Sequence, residues 1–433
     1  MRLKQLTTGA YGHTLNAAQV FSPDGVWIYY DTRNDDTHIG RTGYVEKVHI
    51  QTGEVIRLYA APGQTEYGPG VGAVACNPVT GALVFIHGLV NCNALQPYSM
   101  TRRFGALYAE DIPGVVRHAE ARVLDAPFVP GALRGGTHAH TWSGDGAWIS
   151  FTYNDRLLEA LEQAGTPGVK DLRTIGVMVP RTVTVAAEGA EQFGGDYFAV
   201  VTATVTENPK PGSDAIDKAF DECWIGQDGY LRADGSRQKR AVAFQGNVRA
   251  DTGEVVTEVF VADMPEDVTE AMPGLPLAGT LTSRPNVPGG VLQRRLTYTT
   301  ANRYAGLQGP RYRLRTSPDG QEVYFLMRDD GGIVQLYALP VIGGAIRQLT
   351  FLTDSIQTQF NVSPDGTMLA FSAGNRIWTV LTDGGEAVSL TDAFDEAPVN
   401  GVLWSPAGDA LVYNQYVHGD GGRWLQIFVL SLR

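Results

Sequence analysis

The sequence lacks most of what marks a secreted, membrane-spanning or nucleic-acid-binding chain. It has 3 cysteines in 433 residues. Cys76, Cys92 and Cys223 are too scattered for a CxxC or zinc spacing, so a reduced, cytoplasmic compartment is expected. No apolar run approaches the length of a transmembrane helix. The opening "MRLKQLTTGAYG" has no apolar stretch of the secretory kind, which supports the same expectation. Positive charge is scarce: 34 Lys and Arg against 46 Asp and Glu give a net charge of -12. That balance argues against nucleic acid or an anionic membrane surface as a partner. Familiar catalytic signatures are missing too. There is no G-x-S-x-G elbow, P-loop or HExxH, and "GPGVGA" from Gly68 precedes a strand rather than the helix of a dinucleotide fingerprint.

Turn chemistry is what the chain has in quantity. With 51 Gly and 23 Pro, many short strands are expected rather than long helices. One turn recurs: "FSPDG" at Phe21, "CNPVTG" at Cys76, "WSGDG" at Trp142, "TSPDG" at Thr316, "VSPDG" at Val362 and "WSPAG" at Trp404. A seventh unit, "DYFAVVTATV" with "RAVAFQGNV" and "EVFVADMP", lacks it. Four strands per roughly 40 to 50 residues is the spacing of a propeller blade. The expected fold is all-β: a single-domain, seven-bladed β-propeller of four-stranded blades. The last unit stops without its fourth strand, and "RLKQLTT" at the N-terminus matches "IRQLT" at Ile346. Residues 1–9 are therefore expected to complete the last blade. Inter-blade insertions are expected near residues 100–135, 155–170, 206–240 and 265–310. Helices are expected at Asp155–Ala164, stopped by Gly165, and at Ser213–Trp224, with Ser213 as N-cap.

The stretches "LRGGTHAHTWSGDG", "VFIHG", "PGSDAIDKAFDECWIG", "QRRLTYTT", "LMRDDGGIVQL" and "DSIQTQFNVSPDG" together resemble the YidR family of bacterial cytoplasmic proteins. The resemblance runs in order over nearly the whole chain and brings no catalytic residues with it. The "SPDG…GG…QLT" units are more distantly similar to TolB-type propellers and to oligogalacturonate lyase. The latter likeness implies a cytosolic seven-bladed propeller with a metal site of histidines and one glutamine near the channel. Here Gly135 stands three residues before His138, where the lyase pattern has Gln.

Candidate site residues follow from the propeller. Strand alternation puts His138, His140 and Trp142 on one face of an innermost strand, at the channel mouth. The two histidines can be ligands of a divalent metal, a general base or ligand-binding group, or hydrogen-bonded structural residues. A metal needs further ligands from other blades: Gln19 and Asn400 by register, His13 and His87 from adjacent segments. Arg311, Arg313 and Arg315 alternate on another inner strand and can clamp a carboxylate, Arg311 foremost. Arg102–Arg103 and Arg294–Arg295 read as solvated loop residues. Gln357, Gln359 and Asn361 line an inner strand and can bind sugar hydroxyls. His138 and His140 are thus the catalytic and metal candidates, and Arg311, His87, Gln357 and Asn361 the ligand-binding ones. Two functions compete. One is a uronate-lyase-like enzyme acting on an acidic sugar, with a histidine base and an arginine or metal holding the developing charge. The other is a non-enzymatic scaffold that binds a protein or small ligand.

Overall fold

The repeated turn closes the same way wherever its Ser and Asp survive. The Ser22 hydroxyl donates to Asp24 Oδ1 at 2.5 Å and accepts the Trp27 N–H at 2.9 Å, while Gly25 takes φ +72°. Ser143–Asp145, Ser317–Asp319 and Ser363–Asp365 repeat the contact at 2.6, 2.5 and 2.6 Å, each followed by a glycine with positive φ. Only glycine enters that left-handed region without strain. Each turn folds the chain back on itself, and the β-branched and aromatic runs on either side pair as strands.

The computed structural model describes residues 1–35, 37–186, 189–307, 313–419 and 421–432. It is a seven-bladed β-propeller in which six sheets have four strands and the first has three. Blade 1 comprises Trp27–Asp31, Tyr44–His49 and Val55–Ala60, with an irregular inner segment joined by bridges at Thr14 and Phe21. The inner strands of blades 2 to 7 are Val71–Cys76, Gly135–Trp142, Ala219–Trp224, Arg315–Thr316, Asn361–Val362 and Pro398–Trp404. Blade faces pack on one another through fully buried aromatics such as Phe85, Phe151, Phe244, Phe325 and Phe371.

The ring closes as expected. Arg2–Gln5 pairs antiparallel with Gly422–Ser431, Arg2 opposite Ser431 and Gln5 opposite Phe428, as the fourth strand of blade 7. Leu6 N–H then donates to the Ile427 carbonyl at 2.8 Å.

The connections differ from the expected insertions in several places. The helix Arg156–Gln163 forms, its first turn capped by Asp155 Oδ1, which accepts from Leu157 and Leu158 N–H at 3.0 and 3.1 Å. The helix expected at Ser213–Trp224 does not. Ala219–Trp224 is instead the inner strand of blade 4, with Cys223 opposite Ala243 and Trp224 opposite Val242. A free sheet edge beside the buried strand Arg240–Arg249 outweighs the local helical pattern. "DYFAVV" belongs to blade 3, where Phe198–Val201 is the outer strand. Within 100–135 lie Arg103–Tyr108 and Val116–His118, the two outer strands of blade 2. Within 265–310, Leu292–Arg295 completes blade 4. The crossover before it is anchored by Arg134, which is fully buried, paired with Asp155 at 2.6 Å and bonded to the carbonyls of Thr280 and Ser283. Among the described residues, no helix is long and apolar enough to cross a membrane.

Deleting residues 1–8 should lower the melting temperature by about 5 °C or more, because blade 7 loses its edge strand and exposes unpaired backbone groups. Thermal denaturation followed by circular dichroism reads this directly. An unchanged midpoint would show that the seam does not depend on the N-terminal strand.

Candidate functional site

The inner strands do not run straight along the channel. Register shifts interrupt them between Gly72 and Ala75, His138 and Thr141, Phe220 and Cys223, and Val399 and Val402. Within these shifts sit Ala73, Ala139, Asp221 and Asn400, with φ of 56°, 61°, 53° and 55°, and Gln19 of blade 1 joins them at 55°. A non-glycine residue in this region costs roughly 1–2 kcal/mol. Five such residues at equivalent places around one channel form a device of the fold. In blade 2 the cost is offset where Asp31 Oδ2 accepts the Ala73 N–H at 2.8 Å.

In blade 3 the bulge decides where the histidines look. His138 pairs across the sheet with Thr152, whose hydroxyl donates to Glu222 of blade 4 at 2.7 Å. Residues paired this way share a face, so His138 looks toward blade 4. After the bulge, His140 lies against blade 2. A Cβ placed on Gly105 would come within 3.0 Å of His140 Nε2 and 3.1 Å of Glu120 Oε2. The common face expected from simple alternation is absent, because the extra residue at Ala139 shifts the parity.

The blade 2 side of His140 is a hydrogen-bond relay. Thr137 donates its hydroxyl to Glu120 Oε1 at 2.6 Å, and His140 Nε2 lies 2.9 Å from Thr137 Oγ1. Thr137 has one proton, and the Glu120 carboxylate, which also accepts the Gly105 N–H at 3.1 Å, takes it. His140 must then donate from Nε2, which leaves Nδ1 as a free lone pair. Burial pushes the Glu120 carboxyl up to about 7 against the Thr137 and Gly105 bonds, so the carboxylate form sets this tautomer from neutral pH upward.

Charge completes the picture. Burial, and then the Arg103 guanidinium, hold both imidazoles down: His140 to about 3 with Arg313 adding to the effect, and His138 well below its usual value with Arg173, His140 and Arg313 adding to it. Both histidines are therefore neutral at physiological pH. Glu222 is raised by burial against Arg313 and Thr152. The cluster leaves enclosed atoms without a hydrogen-bond partner among the described residues: Arg103 Nε, His138 Nδ1, His140 Nδ1, Glu222 Oε1 and Arg313 Nη1. Neither Arg103 nor Arg313 is in an ion pair among the described residues. No group of three or more His, Cys, Asp or Glu side chains is placed to hold a metal among them. The residues present fit an anion better than a divalent metal on the histidines.

Of the other sequence candidates, His87 sits in the blade 2 core, 1% exposed, with Nε2 2.9 Å from the Tyr59 hydroxyl and its ring stacked on Phe104. Gln357 is exposed at the start of the blade 6 inner segment and accepts the Asn375 N–H at 3.0 Å. Asn361 accepts from Arg315 Nε at 2.7 Å and donates to the Val402 carbonyl, away from the histidines. Arg315 is enclosed by Asn361, Gln359 and the Ala17 carbonyl, where burial lowers its guanidinium to about 10. Gln19 bonds the backbone of Trp142 through both ends of its amide, at 2.7 and 2.8 Å. Arg311 lies outside the described residues. Arg102 and Arg103 are each 5% exposed and so are not solvated, and Arg295 is paired with Glu258 at 3.0 Å. Sequence reasoning missed Arg103, Arg173, Glu120 and Glu222 and ranked Arg313 low.

Comparison with known proteins gives a family and a fold. A family model described as protein of unknown function DUF3748 matches residues 70–192, a segment that holds Arg103, Glu120, His138, His140 and Arg173. The chain is 36% identical over 417 residues to a protein of Escherichia coli strain K12 named uncharacterized protein YidR, covering 95% of this chain and 94% of the relative. Among solved structures, it is similar to a Mycobacterium tuberculosis puromycin-hydrolyzing peptidase, with a TM-score of 0.51 and 14% identity, covering 98% of this chain. It spans 54% of that peptidase, and the likeness shows the propeller fold alone. Oligogalacturonate lyase in complex with manganese is similar at a TM-score of 0.48 and 12% identity, covering 100% of this chain and 93% of that one.

The neutral histidines predict a pH effect. The folded chain binds the His140 proton less readily than the unfolded chain, whose value is near 6.5. The group therefore adds stability above pH 6.5 that is lost as pH falls toward about 3. Replacing His140 by Asn should make the loss of stability between pH 7 and pH 5 smaller by about 2 kcal/mol. Urea denaturation at the two pH values measures it, and an identical loss in variant and wild type would contradict a neutral, enclosed imidazole.

Proposed function

The chain belongs to the YidR family, and we propose that the channel mouth between its blades 2 and 5 binds a small carboxylate-bearing molecule of the acidic-sugar class. The observation that carries this reading is the set of enclosed polar atoms from four blades, Arg103 Nε, His138 Nδ1, His140 Nδ1, Glu222 Oε1 and Arg313 Nη1, that have no hydrogen-bond partner among the described residues. Each such atom costs about 1–3 kcal/mol unless something bonds it. The two guanidiniums offer donors that have no partner carboxylate among the described residues, and a ligand carboxylate supplies the matching charge and geometry.

The same arrangement suits proton abstraction of the lyase kind. Arg103 and Arg313 hold the carboxylate and the negative charge that develops on it. The His140 Nδ1 lone pair, fixed by Thr137 and Glu120, takes the proton from the carbon beside it. Burial, Arg103 and Arg313 hold this imidazole down to about 3, so it takes the proton only when the ligand carboxylate offsets the guanidinium charge beside it. In the elimination these roles describe, the C–H electron pair becomes a C=C bond, the C–O bond on the next carbon breaks, and the departing oxygen takes the proton back from the His140 imidazolium. We place this chemistry in the cytoplasm, in keeping with three unpaired cysteines, of which Cys76 and Cys223 have thiols pushed up to about 12 by burial.

Isothermal titration with galacturonate and with neutral galactose tests the reading. Galacturonate should bind and galactose should not. Arg313→Ala should weaken galacturonate by about ten- to a hundredfold, the worth of one charged hydrogen bond. No binding of galacturonate, or an unaffected Arg313→Ala variant, would overturn it.

A further inference from the structure

Carboxylate binding and proton abstraction leave one enclosed acid of the cluster unused. Glu222 is 0% exposed on the inner strand Ala219–Trp224. Its Oε2 accepts the Thr152 hydroxyl at 2.7 Å, and its Oε1 has no partner among the described residues. Thr152 is paired with His138 across the blade 3 sheet, so the histidine and Glu222 have Thr152 as a common neighbour. From blade 5, the Arg313 guanidinium acts on the same carboxyl, and its own Nη1 has no partner among the described residues.

An enclosed acceptor and an enclosed donor thus lie within electrostatic reach of each other. A ligand satisfies both only if it presents an acceptor and a donor close together. Its carboxylate is the acceptor. The donor is a hydroxyl rather than an ammonium, because the guanidiniums of Arg103, Arg173 and Arg313 already concentrate positive charge around His138. A second carboxylate is disfavoured at Glu222 itself, since two anions cannot share an enclosed hydrogen bond without a proton.

We propose that Glu222 is the specificity-determining residue of this site, accepting a hydrogen bond from a hydroxyl one or two carbons from the ligand carboxylate, and so selecting hydroxylated monocarboxylates. The proposal rests on the carboxylate-binding reading above. A site built to bond a hydroxyl rejects the analogue that lacks it much more firmly than an apolar pocket separates ligands by a methylene, because the enclosed acceptor is otherwise left bare. Thr152 is the positioning residue that turns Oε1 toward the ligand by holding Oε2.

The test compares six-carbon acids that differ only near the carboxylate. Binding of 2- and 3-hydroxyhexanoate, hexanoate, 2-aminohexanoate and propylmalonate is measured by calorimetry on the intact protein. Wild type should prefer a hydroxyhexanoate over the other three by about tenfold or more. Glu222→Ala should cut the preference over hexanoate to below about threefold while hexanoate itself stays within about twofold. Thr152→Val, which frees the carboxylate without removing it, should cut the preference as well and serves if Glu222→Ala does not fold. A wild type that binds hexanoate as well as the hydroxy acids would overturn the role of Glu222 but leave carboxylate binding standing. So would a preference for 2-aminohexanoate or propylmalonate, or variants that weaken every acid equally. Failure of all five acids to bind would overturn the carboxylate reading and this proposal with it.

Discussion

The channel exists only because its two chain ends meet. Arg2–Gln5 lies along Gly422–Ser431, and that one antiparallel pairing joins blade 7 to the beginning of the chain. Without it blade 7 lacks its outer strand, Gly422–Ser431 has an unpaired edge, and the last blade is no longer tied to the segment that leads into the first. The groups assigned to the site are carried on four blades and come near one another only while the ring is round. Arg103 comes from blade 2, His138 and His140 from blade 3, Glu222 from blade 4 and Arg313 from the start of blade 5. No local element could assemble them, since one strand presents only two faces.

Within that ring, one extra residue in the inner strands of blades 2, 3, 4 and 7 does what the turn motif does at the strand's end. It spends conformational strain to aim side chains. Ala139 at φ 61° sends His138 toward blade 4 and His140 toward blade 2, yet both remain in the field of Arg103 and Arg313. Enclosed imidazole nitrogens, two guanidiniums and a carboxyl oxygen without partners among the described residues are each unfavourable in isolation. On the proposed reading, the guanidiniums are what an anion would satisfy. The Glu120–Thr137–His140 relay adds direction, because it fixes which imidazole nitrogen keeps its lone pair.

The fold was legible because Ser-Pro-Asp-Gly names its own backbone angles, and because "RLKQLTT" repeats a strand missing at the other end. The histidine pair was legible as two polar residues on an inner strand. What surrounds it was not. Ala139 gives no sign of a positive φ, since alanine normally avoids that region. Glu222 lies in "SDAIDKAFDECW", which has the spacing of a helix and becomes a strand only because Arg240–Arg249 offers it an edge. Arg103 reads as half of a loop dipeptide, and its burial comes from the blade packing around it. His87 illustrates the reverse error. In "VFIHG" it looks like a polar residue available for a ligand, but Tyr59, distant in sequence, bonds it into the core.

The central claim is that the space between Arg103, His138 and Arg313 accepts an anion. Anomalous diffraction from crystals soaked in bromide, with manganese soaks alongside, tests it most directly. The account predicts a bromide peak bounded by Arg103, Arg313 and the His138 and His140 rings, with no manganese there. Manganese on His138 and His140, or bromide confined to the outer surface, would contradict it.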